Sequence, residues 1–537
     1  MTRGAANAVP QALHRAGMSG ALLIAGILLA SLTEAIAGTV LALAKGDISG
    51  DIHATPDEFA LLDVSYTASK LAGFALAPWL VTRVDPVRLL LAATLTMGLS
   101  SAVSAGASGL DTLVMLRLVQ GLSGGVLLVS GQAILFWLFP ASRQPLVQAL
   151  FAIGAVVAPA ALAPAVQAWL LDSSSWNWIF LAILPVALLA AGLLLIADTP
   201  PTIVPRQHSM DWLSFASLTI AMAGATYLLS QGNRWDWFEA SRMRWAILIV
   251  ATSFGFFLVR QHRERAVFDT RVFKVDDFTF AFVVSFVAGA ALFGSAFLIP
   301  AFALSVLGFT ASGAGELLLP SGGLFVASLL LAGGMMQARR IPPIATVPFG
   351  IAFIMAAMWL LSGSTLESGA EDLMPALLLR GLGLGFLFLS ITLIAFGRLE
   401  PASLASGIGL FNIGRQLGGL IGVAGLQTLI SQQSVANTVV LGAGLSAGTP
   451  ALAERLAATS SLLVSRGMDA VAASTAARAM LGRATMGQAT VIAFDTAFNA
   501  VALLFVAAAP VIIGVKIGLS RAAASRRRRP GTTGEEA

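Results

Sequence analysis

Uninterrupted blocks of twenty or more hydrophobic residues recur along the whole chain, and they constrain its fold more than any other feature. A helix of about 20 apolar residues crosses the roughly 30 Å hydrocarbon core of a bilayer. Only helices and closed barrels satisfy every backbone hydrogen bond there, and the blocks are continuous rather than alternating. Charged residues make up only 11% of the chain, against about 25% in soluble domains. The sequence therefore predicts an all-α polytopic membrane protein.

We predict about fourteen spans, arranged as six, a pair and another six. The first block is too long for a signal-peptide core, so we interpret it as a retained span. The predicted spans are 20–45, 59–81, 87–108, 112–139, 145–170, 177–197, 212–230, 244–260, 278–306, 314–337, 343–363, 373–396, 402–430 and 489–518.

This grouping divides the chain into two six-helix bundles and an insertion. The N-terminal bundle covers 1–197, a two-helix insertion with a cytoplasmic linker covers 198–277, and the C-terminal bundle covers 278–518. Within the last bundle, 431–488 is a long extracytoplasmic loop with Ala-rich stretches of helical character, serving either as a passive cap or as a partner contact. A basic cytoplasmic tail, 519–537, follows.

Two weak internal matches share one offset and indicate a repeat. "QGLSGG" (120–125) resembles "RGLGLG" (380–385), and "LFAIG" (150–154) resembles "LFNIG" (410–414), both at an offset of 260 residues. Repeated halves related by an axis normal to the membrane are a transporter architecture with the substrate site near mid-membrane.

Arginine and lysine collect at one set of predicted helix ends and acidic residues in the opposite short loops, which places both termini in the cytoplasm. The same rule accounts for the sequence pI of about 10.2 without nucleic acid. The "SRRRRP" stretch (525–530) is then a solvated tail beside anionic lipid.

Glu34 lies midway along the first predicted span, where an unpaired charge costs roughly 2.5–3.5 kcal/mol. It is therefore paired, protonated or facing water. Asp63 and Lys70 lie seven residues apart on one face of the second span. A carboxylate poised by such neighbours can bind a proton from one side and release it to the other. A static polar pair that holds helices together is the alternative.

Further polar residues in the spans are candidates for proton coupling, for a substrate cavity or for a gate. Arg117, which begins "RLVQGLSGG", is a fixed charge that biases a nearby carboxylate. Arg415 and Asp495 are a candidate pair between the polar faces of the last two spans. The candidates for the cavity or gate are Lys70, Gln120, Glu316, Arg380, Asn412, Arg415, Gln416, Asp495 and Asn499.

The sequence contains no pattern for an enzyme or a nucleotide-driven pump. It has no cysteine, only four scattered histidines, no Walker-type GxxxxGK[ST] and no GxSxG elbow. "GLGLG" (381–385) lies in an apolar helix rather than after a strand. We therefore expect no metal and no cofactor, with the proton gradient as the energy source.

On these motifs the chain resembles the fourteen-helix EmrB/QacA-type drug:proton antiporters of the major facilitator superfamily, over nearly its whole length. "RLVQGLSGG" (117–125), "SWNWIFLAILP" (175–185) and "LFNIGRQLGGLIGVA" (410–424) carry the resemblance. Three departures mark a divergent member. Asn177 replaces an arginine of the family motif. In the loop between the second and third spans, Thr82 replaces the usual acid, and the nearby Asp85 is a candidate to take over its role. "PAALAPAVQAW" (159–169) lacks the glycines of the fifth-span motif.

The resemblance implies an inner-membrane secondary exporter of hydrophobic or amphipathic compounds, driven by proton entry through alternating access. The family's acid in the first span aligns best with Thr33, one position from Glu34, so we expect Glu34 to replace it as the proton-binding residue or a small register shift to restore it, with Arg117 tuning it and Asp63 nearby. In a cell with two membranes it implies a periplasmic adaptor and an outer-membrane channel as partners. A narrow-specificity metabolite or toxin exporter, a lipid flippase and a transport-inactive scaffold are the alternatives.

Overall fold

In the computed structural model, residues 17–41, 44–197, 210–261, 267–339, 341–445 and 450–528 are described, and within these ranges the regular structure is entirely helical. The predicted all-α class is therefore confirmed. The α-helices are α1 Gly17–Thr39, α2 Lys45–Asp51, α3 Pro56–Leu80, α4 Pro86–Ala105, α5 Leu110–Leu138, α6 Gln144–Ala152, α7 Ala163–Ser173, α8 Asn177–Leu181, α9 Ile183–Ile196, α10 Trp212–Gln231, α11 Ser241–Gln261, α12 Asp276–Ser305, α13 Ala311–Glu316, α14 Leu319–Arg339, α15 Val347–Leu361, α16 Ala370–Phe396, α17 Pro401–Ala443, α18 Pro450–Ser465 and α19 Ala470–Arg528.

Twelve helical segments of the described chain are long and apolar enough to cross a membrane. Helices α3 and α17, which contain the second and thirteenth predicted spans, are outside this set. Both carry polar residues that lower their hydropathy: Asp63 and Lys70 on α3, and Arg415 among others on α17. The count of fourteen spans therefore stays a prediction, because a helix that lines a polar interior does not have the composition of a lipid-facing one.

The offset of 260 residues extends from the short motifs to whole helices. It relates Leu110, the first residue of α5, to Ala370, the first residue of α16. In each half a glycine of the motif presses its helix onto a neighbour: a Cβ on Gly121 would collide with the Tyr66 backbone of α3, and one on Gly381 with the Ser321 backbone of α14. Glycine is needed at both crossings because any side chain would separate the backbones.

The two halves contact each other along two seams. Along one, α3 packs against α17, and the Cβ position of Gly409 lies 2.5 Å from the Phe74 carbonyl. Along the other, the continuous segment Gln144–Ser173 packs against α13 and α14.

The segment Gln144–Ser173 departs from α-helical geometry in its centre. Residues Ile153–Leu162 form a π-helix, within which Pro159 lacks a backbone N–H. The motif that lacks the family's glycines, 159–169, begins in this π-helix and continues into α7. The opposite helices supply them, since the Cβ position of Gly322 lies 2.5 Å from Ala161 and that of Gly315 lies 3.2 Å from the Cα of Ala165.

The inserted helices α10 and α11 lie beside the α3–α17 seam. Their connecting turn is bound to both halves: Arg234 forms an ion pair with Asp57 of α3 (2.9 Å), and the Trp237 indole donates to Thr428 of α17 (3.2 Å). The base of the hairpin is closed by Arg260, which donates hydrogen bonds of 2.7 and 2.9 Å to Asp211. These hydrogen bonds hold the pKa of the Asp211 carboxyl well below its usual range.

Long helices fill most of the predicted extracytoplasmic loop. Helix α17 has 43 residues, which at 1.5 Å per residue is about 65 Å, twice the hydrocarbon core. It therefore continues well past the predicted end of its span at 430, and α19 begins at Ala470, before the predicted start at 489. The Ala-rich stretch 451–464 lies in α18, which packs against α19.

Two further departures from the family motifs concern Asn177 and the loop that contains Asp85. The Asn177 amide donates to the Ala105 carbonyl at 2.7 Å. Asp85 accepts from the Arg88 backbone N–H at 3.1 Å and caps α4. It has no ion pair with any described residue of the other half, so the substitute charge latch expected for it is not formed.

Candidate functional site

Glu34 is buried in α1, with 2% of its side chain exposed, and its Oε1 forms an ion pair with Lys70 Nζ of α3. Of the three options that the sequence left open, the structure shows a paired carboxylate. The Lys70 side chain is 13% exposed. The pair is therefore buried on the glutamate side and within reach of solvent on the lysine side.

Tyr66 contacts Glu34 of this pair, and the sequence analysis did not predict this contact. Its hydroxyl donates to Glu34 Oε1 at 2.9 Å, and its ring faces the Arg117 guanidinium at 4.0 Å. The chain has only two tyrosines, and this one lies four residues before Lys70 on the same helical face. That scarcity and that spacing were the available signal.

Arg117 lies on the other side of the tyrosine ring and makes no ion pair with a described carboxylate. It is fully buried and donates to the carbonyls of Ala37 (2.7 Å) and Leu62 (3.4 Å) and to Gln120 Oε1 (3.1 Å). It thereby joins α1, α3 and α5. Its charge acts on Glu34 across the Tyr66 ring rather than by direct contact.

Gln120 is fully buried, and its amide donates to Ser104 of α4 at 2.9 Å. It therefore lies in the packing of α4 against α5 and lines no opening. A buried glutamine that the sequence reasoning also missed, Gln167 of α7, donates to the Ile36 carbonyl and to Thr39 Oγ1, both at 2.9 Å. This contact ties α7 to α1, a helical turn beyond Glu34.

Two glycines make room for the Glu34 side chain. A Cβ on Gly124 would lie 2.9 Å from Glu34 Cγ, and one on Gly38 would lie 3.4 Å from Glu34 Oε1 and 3.3 Å from the Tyr66 hydroxyl. The geometry of the cluster Glu34, Tyr66, Lys70 and Arg117 therefore depends on small residues from α1 and α5.

Asp63 lies near the same two cations as Glu34 but is not paired with either of them. It is exposed, and it has no hydrogen bond or ion pair with the described residues. Its charge acts on Arg117 and Lys70 without contact. Asp63 and Lys70 therefore lie on one helix, α3, but Lys70 forms its ion pair with Glu34 of α1.

In the C-terminal half, Arg415 donates to Asn412 Oδ1 of the same helix at 2.6 Å. Asn412 is buried, whereas Arg415 and Gln416 are half-buried. Arg415 is near enough to Glu34 for an electrostatic interaction between the halves. These side chains lie on the α17 side of the central interface.

The candidate pair of Arg415 with Asp495 is wrong. None of the four ion pairs in the described chain includes either residue. Asp495 is half-buried, and its Oδ1 is buried without a hydrogen-bond partner. One turn further along α19, Asn499 lines a cleft against Met355, Ala356 and Trp359 of α15, with a volume of about 360 Å³. The Asn499 side chain of α19 thus lies against α15.

The two remaining charged candidates lie apart from the central cluster. Glu316 is exposed at the end of α13. Arg380 is 1% exposed in α16 and donates to Ser295 at 2.9 Å and to Ser321 at 3.5 Å. The described residues contain no group of three or more side chains able to hold a metal ion.

Two sets of helices that are related by a repeat and pack along two seams around buried charges are typical of a membrane transporter. The sequence profile of the Major Facilitator Superfamily matches residues 23–423. The chain therefore belongs to the Major Facilitator Superfamily, which makes it a transporter rather than an enzyme.

Similar proteins include several multidrug exporters. The colistin resistance protein EmrB of Acinetobacter baumannii is 26% identical over 68% of this chain and 76% of its own length. The multidrug resistance protein 3 of Bacillus subtilis is 27% identical, over 70% and 73%. The multidrug export protein EmrB of Escherichia coli is 24% identical, over 74% and 77%. The resemblance to EmrB-type proteins, at a divergent level, is thereby confirmed.

Among solved structures, the crystal structure of the human organic anion transporter MFSD10 (TETRAN) is similar in fold. It superposes with a TM-score of 0.53 at 13% identity, covering 90% of this chain and 99% of that chain. At this identity the similarity concerns the fold alone.

Proposed function

We propose that this protein exports hydrophobic or amphipathic compounds across the bacterial inner membrane in exchange for protons. The names of its EmrB-type relatives support the export of drugs. The single observation that carries the proton coupling is the buried Glu34–Lys70 ion pair in the first two helices of the N-terminal bundle. Both termini lie in the cytoplasm in this proposal, as the distribution of arginines indicates.

A proton on Glu34 would remove the charge that holds Lys70. Arg117 keeps its charge at any physiological pH, so the protonation state of the cluster changes at the carboxylate. Lys70 belongs to α3, and α3 packs against α17 of the other half. Release of Lys70 would therefore change the helix that forms one of the two seams, which links protonation to the movement of the halves.

The substrate cavity lies between the bundles in this proposal. Asp63 of α3 and Arg415 and Gln416 of α17 are polar side chains near the seam that are not fully buried. Asn499 lines instead the cleft between α15 and α19. In a cell with two membranes, a periplasmic adaptor and an outer-membrane channel complete the export route, and the long helices α17, α18 and α19 supply the surface that such an adaptor contacts.

The test is proton flux in vesicles. The full chain is reconstituted with a pH-sensitive dye inside the vesicles, and amphipathic cations and weak acids are added under a pH gradient. We expect substrate-dependent proton flux in the wild type, its loss in Glu34→Gln, and its retention in Glu454→Gln, an exposed glutamate of α18. Unchanged flux in Glu34→Gln would remove this residue from the mechanism, and lipid scrambling without proton flux would establish a flippase instead.

A further inference from the structure

Arg380 carries a buried positive charge without a counter-charge. Its side chain is 1% exposed in the middle of α16, a helix apolar enough to span the membrane. None of the four ion pairs in the described residues includes it. Its contacts are the hydroxyl oxygens of Ser295 (2.9 Å) and Ser321 (3.5 Å), both neutral. The charge therefore needs a compensation that these side chains do not supply.

Arg117, the other fully buried arginine of the described residues, also has an unpartnered Nη2, but it differs from Arg380 in its charged neighbours. Arg117 lies within electrostatic reach of Tyr66, Asp63 and Glu34 and also donates to two backbone carbonyls. Among the residues that the structure describes, Arg380 has no charged neighbour of this kind. A guanidinium does not lose its proton in proteins, and a buried charge is stable only when it is paired. An anion from outside the chain would supply the counter-charge that the described residues do not give Arg380.

Two donors at this place lack an acceptor. Nη2 of Arg380 is buried and has no hydrogen-bond partner. Ser321, also 1% exposed, accepts from Arg380, and among the described residues its own hydroxyl hydrogen has no acceptor. Ser295 differs, because its hydroxyl already donates to the Leu292 carbonyl at 3.1 Å. Free donors beside a fixed cation favour an anion and exclude a metal cation.

We propose that Arg380 and Ser321 bind a small monovalent anion of chloride size inside the C-terminal bundle. The guanidinium supplies the charge and the Nη2 hydrogens, and the Ser321 hydroxyl supplies a further donor. The anion joins α14 to α16 and neutralises the buried arginine. The site is independent of the proton-coupling cluster, since Glu34, Lys70 and Tyr66 all belong to the other half.

The experiment measures thermal unfolding of the purified full chain in detergent, in sodium chloride and in sodium gluconate at equal ionic strength. An ion that binds only the folded state raises the unfolding midpoint with its concentration. We expect a saturable rise with chloride and bromide and none with gluconate, which is too large for a buried site. Formate is the carboxylate probe: a rise with formate but not with chloride would assign the site to carboxylates and overturn the halide.

Ser321→Ala and Ser285→Ala form a matched pair of variants. Ser285 is equally buried, lies on α12, and has an unpartnered hydroxyl that does not contact Arg380. We expect the chloride affinity to fall about tenfold in Ser321→Ala, the effect of one lost charge-assisted hydrogen bond, and to be unchanged in Ser285→Ala. Equal midpoints in both salts, or equal responses of both variants, would overturn the proposal.

Arg380→Gln should abolish the response to chloride. If this variant does not fold, radioactive chloride binding to the wild type and to Ser321→Ala decides the question, because an arginine solvated by water alone binds no chloride in either. The measurement needs no substrate and no proton gradient. Its failure would therefore leave the proposed export function untouched, and the reverse also holds.

Discussion

The Tyr66 hydroxyl donates a 2.9 Å hydrogen bond to Glu34 Oε1, and the ring of the same tyrosine lies 4.0 Å from the Arg117 guanidinium. One side chain thus stands between the acid that we propose binds the proton and the only fully buried arginine of the N-terminal half that the structure describes. This arrangement separates two charges that would otherwise form a direct ion pair, which leaves Lys70 as the partner of Glu34.

Tyr66→Phe keeps the ring over Arg117 and removes the hydrogen bond to Glu34. A hydrogen bond to a charged group contributes about 1.5–3 kcal/mol, so we expect the apparent proton affinity of the transporter to change by roughly one to two pH units. The measurement is the pH dependence of substrate-driven proton flux in vesicles. A Tyr66→Phe profile that coincides with that of the wild type would show that the hydroxyl has no part in coupling. Tyr227→Phe, in α10, is the control.

Lys70→Met leaves Glu34 as a buried acid without its counter-charge. Removal of one partner of a buried pair costs about 3–5 kcal/mol, and we expect a correspondingly lower unfolding midpoint in detergent. In Glu34→Gln/Lys70→Met no charge remains uncompensated at the pair, so the double variant should be more stable than Lys70→Met. If the losses of stability in Glu34→Gln and Lys70→Met added up to the loss in the double variant, the ion pair would be contradicted.

Gly121→Ala places a methyl group against the Tyr66 backbone, where no space exists. Overpacking of this kind costs about 1–3 kcal/mol, and we expect α3 and α5 to be forced apart. Gly192→Ala is the matched control, because a Cβ on this glycine of α9 meets nothing within 4 Å. It should be neutral or stabilising by roughly 0.5–1 kcal/mol. Unfolding midpoints in detergent compare the two, and similar values would refute the close crossing.

Asp211→Asn breaks the ion pair that closes the inserted hairpin. The pKa of Asp211 is held below its usual value by the hydrogen bonds from Arg260, so the pair stabilises the folded state fully above the unfolded pKa of about 3.9. This contribution is lost as the pH falls through the lower folded pKa. We expect Asp211→Asn to lower the unfolding midpoint at pH 7 and to differ less from the wild type near pH 3. A difference that grows towards low pH would have the wrong sign.

The sequence by itself determined that the chain spans a membrane many times, that it is helical, and which charged residues lie deep in apolar segments. These properties follow from the hydropathy and length of the segments, because a bilayer accepts apolar helices that are long enough to cross it with their backbone hydrogen bonds satisfied. The repeat with its offset of 260 residues was also visible, because the same glycine crossing is needed in both halves. The Glu34 side chain was singled out for the same reason, as a charge that apolar surroundings cannot accept.

Only the tertiary structure decided which polar side chains meet. Lys70 pairs with Glu34 rather than with Asp63, Tyr66 lies between Glu34 and Arg117, and the described residues Asp495 and Arg415 form no ion pair with each other. Hydropathy gives the length and order of helices, but pairing depends on the rotation of each helix about its axis and on its depth relative to neighbours from distant parts of the chain. Close contacts between glycines and the backbones they face fix the rotation and depth of each helix. A single sequence does not show which backbone each glycine faces.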